Sequence, residues 1–171
     1  MGWWSEEVMG GDTPMDWEGH FFDVCGLVQY DYTGISPDTK LVDANPKMGV
    51  LDRETLTKNL PKLIDFIKNK SYDEEHRNIG YQVLGIVLMR AGAPIQASVK
   101  KLIIDAANAD EWASEDDSRK AVMQDFVEKV TAYNGKKPLI IKSKGLFQTI
   151  AEHIVSKKPG LVNKNKKKKT K

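Results

Sequence analysis

The segment from Ile79 to Met89 constrains this chain most. Ile79, Tyr81, Val83, Leu84, Ile86, Val87, Leu88 and Met89 leave almost no polar face on a helix. A rod that is apolar nearly all round is a buried rod. Ser71-Tyr72-Asp73-Glu74 reads as a capping box at its start, and Gly92 and Pro94 stop it. The longest apolar run in it, Val83 to Met89, is far short of the roughly 20 residues that cross a bilayer, so no membrane partner is expected.

The segments around it carry narrower stripes. Thr13-Pro14-Met15-Asp16 reads as a capped helix start with Thr13 as the cap, and Trp17, Phe21, Val24 and Val28 continue as one face. Asp52 caps a second helix bearing Leu56, Leu60, Leu63, Ile64 and Ile67. Within it, Pro61 implies a kink or a restart capped by Asn59. A fourth helix carries Val99, Leu102, Ile103 and Ala106. A fifth opens at the box Ser114-Glu115-Asp116-Asp117 and shows Val122, Phe126, Val130 and Tyr133. A last helix is read through Phe147, Ile150, Ala151 and Ile154, ending near Pro159-Gly160. Between about Gln29 and Val50, Gly34, Pro37, Asn45, Pro46 and Gly49 break every period; this is a long irregular loop, with a short strand as the alternative near Met48 to Leu51. The expectation is all-α: a single-domain bundle of about five to six helices over residues 1–160, followed by a disordered lysine-rich tail over 161–171.

Charge divides the chain as well, near residue 135. Residues 1–135 hold 14 Lys and Arg against 23 Asp and Glu, a net of −9, whereas 136–171 hold 12 Lys against Glu152 alone, a net of +11. An acidic body repels phosphate over about a Debye length, so any pull toward nucleic acid comes from the tail. Lys164, Lys166, Lys167, Lys168, Lys169 and Lys171 are the candidates for weak, sequence-independent phosphate contact; a solubilising tail, or one folded back on the acidic body, is the alternative. The start Met-Gly-Trp-Trp-Ser-Glu-Glu has no basic flank and apolar run of the export type, and Cys25 is the single cysteine. The expected compartment is the cytoplasm.

Few residues suggest chemistry. Asp12, Asp16, His20 and Asp23 fall at helical spacing, and oxygen and imidazole ligands there would hold a divalent metal for a metal-binding or hydrolytic function. Helix capping and solvated carboxylates account for the same residues. Cys25 is five residues from His20 and so on a different face, which reads as a small core residue rather than a nucleophile. Gly10-Gly11 lacks the lysine and further glycines of a phosphate loop. No catalytic residue and no cofactor is assigned. Trp3 and Trp4 precede the first cap; they either pack on the bundle or stand exposed as anchors for a partner.

Met1-Gly2-Trp3-Trp4, continuing through Gly10-Gly11-Asp12-Thr13-Pro14-Met15-Asp16-Trp17, resembles the opening of a family of small bacterial and phage proteins known as domain of unknown function 4259. Members of that family begin Met-Gly-x-Trp and soon reach an acidic helix start. Val83 to Pro94, Glu111-Trp112 and the amphipathic stretch Arg119 to Tyr133 extend the likeness to about half the chain; the long loop and the lysine tail are outside its pattern. The resemblance implies an intracellular, mostly helical domain, of a kind phages encode, and carries over no catalytic residue. The functional expectation is a non-enzymatic adaptor or inhibitor that binds another protein through its acidic body and the loop 29–50. A nucleic-acid-associated protein using the tail is the alternative.

Overall fold

The computed structural model describes residues 2–3, 5–27, 50–139 and 141. The described residues form six helices and no strand: α1 (Asp12–Val24), α2 (Arg53–Lys70), α3 (Glu74–Arg90), α4 (Ala97–Asn108), α5 (Glu111–Glu115) and α6 (Asp117–Ala132). The expected loop 29–50 apart from Val50, the last helix through Phe147 and Ile154, and the tail 161–171 lie outside the described residues.

Helix α3 is the axis of the bundle. Every residue from Ile79 to Met89 is buried, and α1, α2 and α4 all pack on it, with α6 behind α4. Each fully buried Leu, Val or Met side chain contributes roughly 1.5–3 kcal/mol. Leu84, Leu88 and Met89 on α3, Ile103 on α4, and Phe21 on α1 form the centre of that core. The helices come close where α3 lacks a side chain: a Cβ on Gly85 would lie 2.7 Å from Ile103 Cγ2 and 3.0 Å from Phe126 Cζ. Even a methyl group there would force α4 and α6 outward.

Helix ends follow local chemistry, sometimes from a different residue than the sequence suggested. Asp52 caps α2 as expected, its carboxylate accepting from Thr55 N at 2.8 Å. At α3 the cap is Asp73, which accepts from His76 N at 2.7 Å, whereas the Ser71 hydroxyl donates back to Ile67 O at the end of α2. At α6 the cap is Asp116, accepting from Arg119 N at 2.7 Å, while Ser114 lies inside the short α5 and donates to Glu111 O. In both sequences the carboxylate two residues on displaces the serine, because a charged acceptor bonds orphan N–H groups more strongly and complements the positive end of the helix.

Three other expectations are corrected. The cap of helix α1 falls two residues early, at Gly11, so that the helix starts at Asp12 with no side-chain cap; Thr13 is buried in the first turn. It ends at Val24, short of Val28, since Gly26 takes φ +69° and its N–H and that of Leu27 return to Asp23 O and Phe22 O. Pro61 does not restart α2, which runs uninterrupted; Thr57 and Pro61 are both exposed, so the carbonyl left without an N–H reaches water. Asn59 does not cap a new helix but donates to Thr55 O at 2.9 Å. Val50 and Leu51 are not strand; Met48 and Gly49 lie outside the described residues. None of the described helices is long and apolar enough to cross a membrane.

Candidate functional site

The residues before α1 form a strap closed on itself: Asp12 N donates to Gly2 O at 3.1 Å, Gly2 N to the Asp12 carboxylate at 3.0 Å, and Ser5 N to Gly10 O at 3.3 Å. Compact loops of this kind pack on their own side chains. Val8 drops from the strap into the core. Trp3 stays at the surface, 38% exposed, with its ring tilted against Trp112 of α5 at 5.3 Å between centroids.

Against both indoles sits Arg119, from the first turn of α6, and it is 1% exposed. A guanidinium cannot shed its proton, so burying it requires a partner for every N–H. All five have one. Nε and Nη2 form a fork on Asp110 at 3.3 and 2.7 Å, Nη1 donates to Glu6 O and Glu7 O at 2.9 and 3.0 Å, and Nη2 also reaches Gln82 Oε1 at 3.3 Å. The guanidinium carbon lies 4.9 Å from the Trp3 ring and 5.1 Å from that of Trp112. Gln82, the polar interruption of the apolar α3 run, donates to Ala106 O and to Asp110 Oδ2, both at 3.2 Å. Asp110 also caps α5, accepting from Ala113 N at 2.9 Å. One ion pair thus ties strap, α3, α4, α5 and α6 together.

Above it opens a pocket of about 230 Å³. Trp3, Trp112 and Ile79 wall it, the Arg119–Asp110 pair floors it, and Glu75 and Glu111 stand at its edge. Burial pushes the Glu75 carboxyl above its ordinary value, and the negative charges of Glu111, Asp73 and Asp110 push the same way. A larger groove of about 510 Å³ runs between the strap, α3 and α6, lined by Val8, Met9, Ile86 and Phe126. Its charged neighbours are already paired, Arg90 with Glu18 and Lys129 with Asp125, so it offers apolar surface without convergent polar groups.

Comparison with protein-family models, with curated proteins and with solved structures returns no match to this chain.

The residues singled out from sequence are scattered by the fold. Trp3 enters the site; Trp4 and Lys164, Lys166, Lys167, Lys168, Lys169 and Lys171 lie outside the described residues. Asp12, Asp16, His20 and Asp23 are all exposed along α1, and the Asp12 carboxylate closes the strap. The His20 ring lies against Phe66 and Trp17, at 5.6 and 6.1 Å. Among the described residues no group of three or more His, Cys, Asp or Glu is placed to hold a metal ion. Burial raises the Cys25 thiol above its ordinary value, with Lys62 opposing more weakly, which disfavours the thiolate a nucleophile needs. Sequence reasoning missed Arg119, Asp110 and Gln82. Gln82 was the available signal, because a glutamine inside a buried run must find hydrogen-bond partners.

Proposed function

We propose that this chain is a non-enzymatic protein-interaction domain, an adaptor or inhibitor, that meets its partner at the face carrying Trp3 and Trp112. The observation that supports this reading is the pinned, exposed indole of Trp3, held by Trp112 and the buried Arg119 beside an open pocket. Interfaces draw most of their affinity from a few aromatic anchors, and an anchor already fixed in place loses little entropy on binding. The net charge of −9 over residues 1–135 favours a basic partner surface and speeds encounter with it. In this reading the protein acts in the cytoplasm, in keeping with the unpaired thiol of Cys25.

The test compares proteins retained from a bacterial lysate by the full chain and by its Trp3→Ala variant. A species retained saturably by the first and lost with the second supports the reading. Equal retention by both, or no saturable species, refutes it.

A further inference from the structure

We infer that the pocket lined by Trp3, Trp112, Glu75 and Glu111 receives a cationic side chain, an arginine or lysine, from the partner chain. This rests on the reading of that face as an interaction surface and names what the face recognises.

Arg119 is the only cation lining the pocket among the described residues, and its five N–H groups are all engaged inside the protein. It has no donor to offer an incoming anion, and Asp110 balances its charge at 2.7 Å. Glu75 and Glu111 at the edge make no ion pair among the described residues. Among the described residues the pocket lining is therefore net negative, with two carboxylates outside any ion pair. Its walls are indoles, whose faces attract cations and whose edges pack against the methylene stem of a long basic side chain. Anions meet repulsion here, and a purely apolar group meets two carboxylates it cannot satisfy. Burial is the main reason the Glu75 carboxyl holds its proton more tightly; the neighbouring charges of Glu111, Asp73 and Asp110 add to it, and a cation in the pocket offsets that second contribution. The residues that form the pocket stand on helices α3, α5 and α6, apart from Trp3 on the strap and Ala109 and Asp110 in the short α4–α5 connection, where Asp110 is fixed by Arg119, so its shape exists before the partner arrives.

The experiment titrates the full chain with the peptide acetyl-Gly-Gly-Arg-Gly-Gly-amide at low salt, following the indole N–H signals of the tryptophans by NMR. The same peptide with citrulline, which keeps the shape and removes the charge, is the control. The expected result is a saturable shift of the Trp3 and Trp112 signals with the buried Trp17 unmoved, no saturation with citrulline, and affinity lower by about tenfold in the Glu75→Gln/Glu111→Gln variant. Both glutamates are exposed, so this variant keeps the fold. Equal titration by citrulline, undiminished affinity in the variant, or no shift at all would overturn the inference. So would a rise of about tenfold in affinity when Lys166, Lys167, Lys168 and Lys169 are changed to Gln, because the chain's own tail would then be the occupant. Peptide binding without a lysate partner leaves the pocket and removes the adaptor reading; a Trp3-dependent partner without peptide binding does the reverse.

Discussion

Two clusters in this molecule set an indole against a nitrogen base, and they solve the same problem in opposite ways. At one, Trp3 and Trp112 both lie against Arg119; at the other, the His76 ring lies against Trp17, at 4.6 Å, and Tyr72, at 4.1 Å. Arg119 carries its charge at any pH, so its burial draws in partners from the strap, from α3 and from the cap of α5 until every donor is bonded. His76 escapes by giving up its proton. Burial holds its pKa below the ordinary value, and its buried Nδ1 has no hydrogen-bond partner, a cost a neutral ring tolerates and a cation would not. The permanent charge therefore organises the fold around itself, whereas the optional one is only packed, and makes stability depend on pH.

The hardest test of that contrast is Arg119→Ala. It strands Asp110 without its counter-charge and leaves Glu6 O and Glu7 O without their donors, and we expect a loss of about 3–5 kcal/mol in urea-induced unfolding. Arg119→Lys should recover only a minor part, because three donors on one point charge cannot reproduce a planar fork. A loss near that of a surface pair, roughly 1 kcal/mol or less, would mean that the network organises nothing. Trp3→Ala ranks next. It removes a half-exposed ring and one of the two cation–π contacts, for an expected loss of about 1–2 kcal/mol by the same measurement. If it matches Arg119→Ala, the indole and not the hydrogen-bond network fixes the strap.

At the histidine cluster the next largest effect falls on Asp73. Asp73→Ala removes the α3 cap and should cost about 1 kcal/mol, while Ser71→Ala, which loses only a bond back to the end of α2, should cost less. Reversed costs would restore the serine as the cap.

These residues also show what a sequence makes legible. The all-α bundle could be read because the Ile79–Met89 run and the stripes of α2, α4 and α6 state their burial in local periodicity. Asp52 and Gly92 could be read because a cap or a stop needs only its own neighbours. The choice of Asp73 over Ser71 is harder to read: Ser71 and Glu74 match the short capping pattern, whereas the stronger, charged acceptor stands two residues on. The candidate site was almost illegible. An arginine early in an amphipathic helix reads as solvated, and nothing near Arg119 in sequence announces acceptors 112 and 113 residues away. The aromatic pair has the same character, since Trp3 and Trp112 become one surface only once the strap closes at Gly2 and Asp12.

The smallest expected effect tests the optional charge directly. Burial is the main reason the His76 pKa is lowered; His20 adds to it, and the carboxylates of Asp73 and Asp16 oppose it. Because the folded value lies below the unfolded one, near 6.5, the unfolded chain takes up its proton first as pH falls. The stability conferred by the neutral ring is therefore intact above about pH 6.5 and is lost as pH drops from there through the folded value. His76→Phe keeps a ring against Trp17 and Tyr72 and removes the titration. Thermal unfolding of both proteins from pH 7.5 down to pH 5 should show the wild-type melting temperature falling more steeply than that of the variant, with the gap opening only below about pH 6.5. Parallel curves would mean that the ring is solvated or finds a partner for its second nitrogen when protonated. The two clusters would then differ in the number of hydrogen bonds they make, and not in whether their charge is compulsory.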